Sequence, residues 1–297
     1  MTTSLDLSDD VRAALKAGRP VVALESAVLT HGLPLASAAE AVLRQRRACV
    51  NGGALPAVVA VFQGRLRVGL SDRECVELAG HAGAAKVSPW NLAGALLEPG
   101  FGGLTVAATV RAASLSGIPV VATGGLGGVH PGQGWDVSAD LDELAHRKVC
   151  VVCSGPKSIL DVEATVERLE TLGIPLIGWR SDQVGGFLAE TAPVSVAVRV
   201  ETIATLTQVV RSHWALAGSG VVISRPLEGG KAIPPAAMAR ALEAIGAEGA
   251  HSGAARTPAD LDRVRTRLGQ AATEANLALL EANAGLAAAL ASALAAP

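Results

Sequence analysis

The sequence predicts a three-layer α/β/α fold with a largely parallel or mixed central sheet. Half of its 297 residues are apolar, yet it has no Tyr, three Phe and four Trp, so the core must be built from Ala, Val, Leu and Ile. Such residues suit buried parallel strands that are covered by helices. Short β-rich runs also alternate along the chain with helical patterns, as expected for an α/β sheet. No linker or low-complexity boundary interrupts this alternation, so we expect one domain over residues 1–297.

The elements follow one another with recurring helix stop signals. One helical pattern ends at Gly117 with Pro119 close behind, and the same arrangement returns at Gly173 and Pro175. The dipeptide Gln63-Gly64 predicts a hairpin turn. The predicted strands are Val21–Val28, Ala57–Phe62, Arg65–Val68, Ile118–Ala122, Lys148–Cys153, Leu176–Trp179, Val194–Val200 and Gly220–Ser224. The predicted helices are Thr105–Ser116, Ser158–Leu172, a segment near Glu201–Ala217, and Pro258–Ala296 with an interruption at Gly269.

Charge and aromatic content restrict the partners. The net charge is -2 and the isoelectric point is about 6.3, which gives no electrostatic footprint for nucleic acid. The scarce aromatic residues also leave few platforms on which bases could stack. A small-molecule ligand is therefore the predicted partner, with no nucleic acid and no membrane.

The cysteines and the termini indicate a cytoplasmic protein. Cys150 and Cys153 have the CxxC spacing, but the two valines between them indicate a β-strand, on which the two thiols face apart. Packing is therefore a better interpretation of these thiols than redox chemistry. The segment Met1–Ala14 lacks the apolar core of a signal peptide. The apolar segment Ala282–Pro297 is shorter than a membrane span.

Function is expected where polar residues follow strands, because parallel sheets bind ligands at the carboxyl ends of their strands. Glu25 interrupts a buried run, and an unpaired buried carboxylate is costly. Its carboxyl group is expected either to pair or to stay protonated, as a general acid requires. The alternative is that Glu25 lies just past the strand end and caps a turn. His31 follows closely and could line the same cleft or belong to the polar surface.

A glycine-rich loop, residues 122–130, follows the strand predicted at Ile118–Ala122. Its backbone N–H groups could cradle an anion such as phosphate. The loop matches the dinucleotide-binding pattern GxGxxG poorly, and no helical pattern opens directly behind it. A plain flexible loop is the alternative.

The segment Trp135–Asp140 carries two carboxylates, Asp136 and Asp140, with Ser138 between them. Oxygen ligands in this arrangement suit a hard cation that also keeps water ligands. The competing interpretation makes Ser138 the N-cap of a helix over Leu141–Arg147, whose positive start favours nearby acids. The two roles are compatible.

Lysine is rare in this chain, since arginine supplies most of the basic residues. Lys157 stands where a predicted strand leads into a predicted helix. A helix N-terminus and apolar surroundings both favour the neutral amine, which is the form that a Schiff-base nucleophile needs. The alternative is an incidental lysine beside a capping Ser158.

Taken in order, these segments resemble one family. They stand as Ala-Leu-Glu25-Ser, Thr-His31-Gly-Leu-Pro, Lys86-Val-Ser, Thr105-Val-Ala-Ala-Thr, Ala-Thr123-Gly-Gly-Leu-Gly-Gly-Val-His130, Asp136-Val-Ser-Ala-Asp140-Leu and Val152-Cys-Ser-Gly-Pro-Lys157-Ser-Ile-Leu-Asp. From about Val21 to Leu290, the chain is similar to the pseudouridine-5′-phosphate glycosidases, also called the indigoidine-synthase-A-like family. Pro131 stands where relatives commonly carry Arg, and the loop before Asp136 is shorter than theirs.

The resemblance implies roles for individual residues. Lys157 would attack C1′ of the ribose and form an imine with the opened sugar, and Glu25 would protonate the uracil carbon. Asp136 would hold a divalent ion, usually Mn²⁺, with mostly water as its other ligands. A homotrimer is also implied. The implied substrate-binding and pocket-lining positions are Lys86, Val106, Thr123, His130, Ser138, Ala139, Asp140 and Asn276.

The implied activity is the reversible cleavage of pseudouridine 5′-phosphate to uracil and ribose 5-phosphate. Because its C–C glycosidic bond has no basic leaving oxygen, a carboxylate pair is insufficient, whereas an imine makes C1′ an electron sink. Lys86 would act on the phosphate as a point charge. Two alternatives stay open: a Schiff-base lyase or aldolase that acts on another sugar phosphate, and a non-enzymatic protein that binds a phosphometabolite.

Overall fold

Strands rich in Val, Ala and Leu form the centre of the molecule. The computed structural model describes residues 5–132, 135–228, 230–247 and 256–296. Among these residues, eleven strands join one sheet and two form a separate ribbon. The sheet strands are β1 (Leu5–Leu7), β2 (Val21–Leu24), β3 (Leu55–Phe62), β4 (Arg65–Val68), β5 (Ala85–Val87), β6 (Phe101–Leu104), β7 (Val120–Ala122), β8 (Cys150–Cys153), β9 (Leu176–Trp179), β12 (Val198–Val200) and β13 (Val221–Ser224). The ribbon strands are β10 (Gln183–Gly185) and β11 (Thr191–Ser195).

Most neighbouring strands of the sheet are parallel. The order is β1-β4-β3-β2-β7-β8-β13-β9-β12, and every pair from β3 to β12 in this order is parallel. The antiparallel pairs lie in one corner, where β3 pairs with β4 and with β6, and where β5 runs parallel to β6. β3 and β4 form the predicted hairpin, and its turn residues Gln63 and Gly64 both have the positive φ of a tight hairpin turn. The predicted mixed α/β sheet is confirmed.

Helices cover both faces of the sheet and complete three layers. One face carries α2 (Leu35–Asn51), α3 (Asp72–Gly80), α8 (Ile203–Leu216), α9 (Pro235–Ala247), α10 (Arg256–Leu268) and α11 (Gln270–Ala295). The other face carries α1 (Asp9–Lys16), α4 (Pro89–Ala95), α5 (Val106–Ser116), α6 (Ala139–Ala145) and α7 (Val162–Thr171). Cys150 packs into the first core and Cys153 into the second, so the two thiols face apart as predicted. Burial raises the pKa of both thiols, which keeps them protonated.

The helix α11 occupies the middle of its layer. It packs along α2 and against β2, β7 and β8. By length and composition α11 would be able to cross a membrane, but most of that stretch is buried inside the protein. The apolar stretch is therefore longer than the predicted segment Ala282–Pro297, because the helix starts at Gln270. The break predicted at Gly269 is confirmed, since it separates α10 from α11.

Two predicted strands differ from the structure by more than two residues at an end or in their pairing. The run predicted as Val21–Val28 stops being a strand at Leu24, and Val28–Gly32 forms a π-helical turn. The strand predicted over Val194–Val200 is divided between β11, which pairs with β10, and β12, which pairs with β9. β propensity does not specify which strand a segment pairs with, so this division is decided by tertiary contacts.

Candidate active site

A pocket opens at the carboxyl edge of the parallel strands. It has a volume of about 820 Å³ including its open mouth. β2, β7 and β8 are adjacent in the sheet, and residues from the segments that follow them line the pocket. His31 lines it too, as one sequence interpretation expected. Six of the predicted site residues lie on its lining: Glu25, Lys86, Val106, Thr123, Lys157 and Asn276.

Glu25 is buried in this pocket, with 7% of its surface exposed. The backbone N–H groups of Ala27 and Val28 donate hydrogen bonds to its carboxylate. Burial raises the pKa of Glu25 from 4.5 to about 7, against the lowering effects of the Lys157 charge and of these N–H donors. Both sequence interpretations therefore hold in part. Glu25 lies just past the strand end and caps a turn, and it is also an acid that carries a proton near neutral pH.

Ser26, which the sequence analysis did not single out, fixes the backbone beside Glu25. Its buried hydroxyl donates to the Val59 carbonyl (2.5 Å) and accepts from the Leu104 N–H (2.9 Å). These contacts join the ends of β2 and β6 to β3, so that the start of α5, with Val106, reaches the same pocket. The two partners lie 33 and 78 residues away along the chain, so no local pattern signals this role.

Lys157 lies on a loop that is braced by the glycine-rich loop. The Lys157 N–H donates to the Leu126 carbonyl (3.0 Å), and the Leu126 N–H donates to the Gly155 carbonyl (2.9 Å). At Gly125 even a Cβ atom would lie 3.1 Å from the Cγ of Lys157, so the missing side chain leaves room for the lysine stem. The glycine-rich loop is therefore a structural partner of the lysine loop.

The prediction that Lys157 stands at a helix N-terminus was wrong. α7 begins at Val162, and the side chain of Asp161 caps it. Ser158 instead donates to the Gly186 carbonyl (3.0 Å). Asp and Ser are equally good N-caps, so the pattern alone placed the start of the helix too early. Because the helix dipole acts within the first turn, it does not act directly on Lys157.

Two asparagines of α11 meet the strand ends. Asn283 is fully buried, and its Nδ2 donates to the Thr123 carbonyl (2.9 Å) and to the Ser154 hydroxyl (3.1 Å), which ties the ends of β7 and β8 together. Asn276 lines the pocket, and its buried Oδ1 has no hydrogen-bond partner among the described residues. A ligand that donates a hydrogen bond, such as a sugar hydroxyl, would satisfy this oxygen.

Phe187 forms part of the apolar wall and was missed by the sequence analysis. Its ring lies against the glycine-rich loop, since a Cβ on Gly125 would lie 2.6 Å from the Cδ2 of Phe187. Its φ of 60° is unusual for a non-glycine residue, and its N–H donates to the Ser154 carbonyl (2.8 Å). The one feature of the sequence that could have pointed to Phe187 is the rarity of its residue type, because the chain has only three Phe.

Lys86 enters the pocket from the antiparallel corner, on β5. Burial and the charge of Lys157 together lower the pKa of Lys86 from 10.5 to about 8, although Asp140 and Glu25 oppose the change. Burial, and then the charge of Lys86, also lower the pKa of His31. The pocket therefore holds two amines and a buried acid, and the charge of Lys157 lowers the pKa of both Glu25 and Lys86.

The predicted binding segment around Ser138 lies beside the pocket and is not part of its lining among the described residues. Ser138 caps α6 as one interpretation predicted, accepting from the Asp140 N–H (3.2 Å), and Ala139 is the first residue of that helix. The buried carboxylate of Asp140 accepts from the N–H groups of Ala107 and Gly127, both at 2.8 Å. Asp140 thereby ties the start of α5 to the glycine-rich loop.

His130 also lies behind the pocket wall. Its Nε2 shares a hydrogen bond with the hydroxyl of Thr257 (3.1 Å), and Thr257 lines the pocket. Burial lowers the pKa of His130, which favours the neutral ring. His130 therefore links the end of the glycine-rich loop to α10.

Asp136, the predicted metal ligand, is paired with a guanidinium. Nη1 of Arg256 lies 2.8 Å from Oδ2 of Asp136. Among the described residues, no three His, Cys, Asp or Glu side chains are grouped so that they could hold a metal ion. In this arrangement the residues around Asp136 do not fit a divalent ion, because a cation already occupies the carboxylate. The shorter loop noted before Asp136 includes residues 133 and 134, which lie outside the described residues.

We expect Gly155→Ala to displace the Lys157 loop and to destabilise the fold. Gly155 has a φ of +88°, and an added Cβ would lie 2.0 Å from the Gly185 carbonyl oxygen. Strain and collision should together lower the free energy of unfolding by about 3 kcal/mol or more. Gly173→Ala is the matched control, because its φ is +66° and nothing lies within 4 Å of the added Cβ. Its expected cost is about 1 kcal/mol. Chemical denaturation measures both values, and equal losses would contradict this role of Gly155.

Comparisons with known proteins agree with the motifs. Residues 10–293 match the family model described as indigoidine synthase A like protein. Two curated relatives are both named pseudouridine-5′-phosphate glycosidase. The one from Thermus thermophilus is 44% identical over 279 residues, covering 93% of this chain and 98% of the relative. The one from Mesorhizobium japonicum is 41% identical over 296 residues, covering 98% of this chain and 97% of the relative.

Solved structures share both the fold and part of the sequence. An indigoidine synthase A-like protein from Thermotoga maritima has a TM-score of 0.91 and 34% identity, and the match covers 99% of this chain and 97% of the other. The prealnumycin C-glycosynthase AlnA, solved in complex with ribulose 5-phosphate, has a TM-score of 0.88 and 33% identity over 99% of this chain and 98% of the other. The family predicted from the ordered motifs is therefore confirmed, and this chain belongs to the indigoidine synthase A-like family.

Proposed function

We propose that this chain is an enzyme that reversibly cleaves the C–C glycosidic bond of pseudouridine 5′-phosphate to give uracil and ribose 5-phosphate. The observation that carries the proposal is that one pocket holds Lys157 and a buried acid, Glu25, whose pKa is about 7. Acids that are shifted by burial beside a specific charge partner cluster at functional sites. The names of the relatives at 41% and 44% identity support this substrate.

In the proposed mechanism, Lys157 attacks C1′ while the bond between C1′ and the ring oxygen breaks. The lysine nitrogen becomes bonded to the opened sugar, and one of its protons passes to the ring oxygen. This attack requires a neutral amine. Lys157 and Glu25 interact electrostatically. Transfer of one proton from the ammonium group to the Glu25 carboxylate therefore yields the neutral amine and the protonated acid together.

Glu25 then delivers its proton to the uracil carbon that is bonded to C1′. The C–C bond breaks, its electron pair stays with the uracil ring, and C1′ is left as an imine of the Lys157 nitrogen. Water hydrolyses the imine to ribose 5-phosphate and restores the amine. The sum is substrate plus water to uracil plus ribose 5-phosphate, so no oxidant or reductant is needed. A positioned acid of this kind contributes about 10²–10⁴-fold to a rate.

Other residues of the pocket lining are suited to bind the phosphate, the ribose and the base of the substrate. Lys86 and the N-terminus of α5 at Val106 together suit a phosphate, because both favour an anion. The unsatisfied Oδ1 of Asn276 suits a ribose hydroxyl. Phe187 and Leu188 provide an apolar surface for the planar base.

A second candidate activity is the formation or cleavage of a C–C bond between a sugar phosphate and another carbon nucleophile. The likeness to the C-glycosynthase solved with ribulose 5-phosphate favours it, since the same lysine chemistry would serve. The two candidate activities would differ only in the group that occupies the apolar end of the pocket.

Release of uracil from pseudouridine 5′-phosphate distinguishes the two activities. We expect stoichiometric uracil and ribose 5-phosphate, detected by liquid chromatography with mass spectrometry. A protein that forms a borohydride-trapped adduct with ribose 5-phosphate but releases no uracil would favour the second activity. A protein that does neither, with or without Mn²⁺, would contradict both.

Lys86→Gln is expected to weaken substrate binding more than catalysis. Loss of a charged hydrogen bond to phosphate should raise KM by about 10- to 100-fold. The pKa of Lys86 is about 8, so its cation, and with it the affinity of the wild type, should decline as the pH rises through this value. KM of Lys86→Gln should lack that rise. Steady-state kinetics between pH 6 and pH 9.5 test this, with the exposed Lys16→Gln as control. An unchanged KM in Lys86→Gln would contradict a role on phosphate.

The homotrimer and the cytoplasmic location belong to the same proposal. Size-exclusion chromatography with light scattering would test the first. The Mn²⁺ ion that the family resemblance predicts at Asp136 is not part of this proposal, and no step above runs through it.

A further inference from the structure

The Asp136–Arg256 pair is shielded from solvent. The exposed fractions of the two side chains are 20% for Asp136 and 12% for Arg256. Besides the 2.8 Å contact between Nη1 and Oδ2, Nη2 of Arg256 donates to the Pro131 carbonyl (3.3 Å). A guanidinium that is held at two points and largely removed from water is costly to displace, unlike the partner in an exposed surface pair.

A second carboxylate completes the surroundings of Arg256. Asp260, one turn further along α10, has its Oδ2 3.7 Å from Nε of Arg256, and its other oxygen lies 3.5 Å from Nη1 of Arg263. The side chain of Asp260 is 9% exposed. Two carboxylates and two guanidinium groups therefore balance one another in charge. A divalent ion placed on Asp136 would add two positive charges beside Arg256, and the repulsion in this partly buried setting would be strong.

Arg256 also connects this cluster to the pocket wall. It is the first residue of α10, and the next two residues, Thr257 and Pro258, line the pocket. Thr257 in turn bonds to His130, which ends the glycine-rich loop. Holding Asp136 thus holds α10 against the loop that braces Lys157.

We infer that the guanidinium of Arg256 occupies the position at Asp136 that the family resemblance assigns to a divalent ion. In this chain the positive charge at Asp136 is built into the protein, and a metal ion binds there only when Arg256 is removed. Arg256 is a positioning residue, since it acts on the pocket through α10 and the glycine-rich loop. The inference concerns the site of the proposed glycosidase, but its test does not require turnover.

The test measures Mn²⁺ binding by electron paramagnetic resonance on full-length protein that has been treated with a chelator. Wild type is expected to leave the free Mn²⁺ signal unchanged when the ion is equimolar with the protein. Arg256→Ala is expected to bind Mn²⁺ about 10-fold or more tightly than wild type does. Arg256→Ala combined with Asp136→Asn should lose this gain. Arg168→Ala, an exposed arginine on α7, is the matched control and should behave as wild type.

A second readout is the melting temperature. Arg256→Ala should melt lower than wild type without metal and recover when Mn²⁺ is added, whereas wild type should not respond. If Arg256→Ala fails to fold, wild type and Asp136→Asn alone decide the question. Stoichiometric Mn²⁺ binding by wild type that Asp136→Asn abolishes would overturn the inference, even if uracil release is never observed. In an activity assay, we expect chelator-treated wild type to release uracil at a rate that does not change when Mn²⁺ is restored.

Discussion

Lys157→Ala is expected to abolish both turnover and the covalent adduct with the sugar. Wild type incubated with ribose 5-phosphate and borohydride should gain the mass of one reduced sugar phosphate, and peptide mapping should place it on Lys157. The variant should show no adduct and should lose uracil release by a factor on the order of 10⁴ or more, because a nucleophile cannot be replaced by its neighbours. The fold should tolerate the change, since Lys157 is only half-buried and its backbone N–H keeps its bond to Leu126.

Lys148→Ala is the matched control for this experiment. Lys148 is exposed, and its ammonium group donates to the Trp214 carbonyl. Neither residue lines the pocket. It should keep both adduct and turnover. The outcome that contradicts the mechanism is an adduct that survives in Lys157→Ala. A mass gain that moves to Lys86 in that variant would point to Lys86, the second amine of the pocket, as the nucleophile.

Glu25→Gln is expected to separate adduct formation from cleavage. The Gln side chain can still accept the N–H groups of Ala27 and Val28, but it has no proton to deliver to the uracil carbon. Uracil release should therefore drop by about 10²–10⁴-fold. Trapping of ribose 5-phosphate on Lys157 should persist. Equal loss of trapping and turnover would mean that Glu25 serves the fold rather than the reaction.

The same substitution should stabilise the protein above neutral pH. Glu25 titrates at about 7 in the folded protein and near 4.5 when unfolded, so between these values the folded state binds more protons. Wild-type stability should therefore fall as the pH rises from 4.5 through 7, whereas Gln at this position has no such cost. At pH 8 the variant should be more stable by about 3 kcal/mol.

Denaturant unfolding at pH 5 and pH 8 measures this difference. The exposed Glu77→Gln is the control and should show no pH-dependent gain. The variant's gain in stability over wild type should be larger at pH 8 than at pH 5. Equal gains at the two pH values would contradict a buried carboxyl that is neutral near pH 7. Wild-type turnover should rise as the pH rises through about 7, because the proposed reaction starts from a pair in which Glu25 and Lys157 share one proton.

The sequence by itself determined the layers of the fold and singled out the acid and the amine of the proposed reaction. Alternating strands of small branched residues and Ala-rich helices predict a three-layer α/β/α fold, because each periodicity is local to its element. Glu25 and Lys157 could be proposed for the same reason. A carboxylate or an amine at the end of an apolar strand is visible within a few residues, and the ordered motifs linked the two to one family.

Only the tertiary structure decided how these groups are held. The bonds of Ser26 to β3 and to the end of β6, the arrival of Lys86 on β5, and the pairing of Asp136 with Arg256 all join residues that are distant along the chain. The start of α7 at Val162 rather than Ser158 was likewise a choice between two acceptable caps. A local pattern carries no information about which distant residue completes a contact. The identities of the acid and the amine could therefore be predicted from the sequence, whereas the residues that position them and the cation beside Asp136 could not.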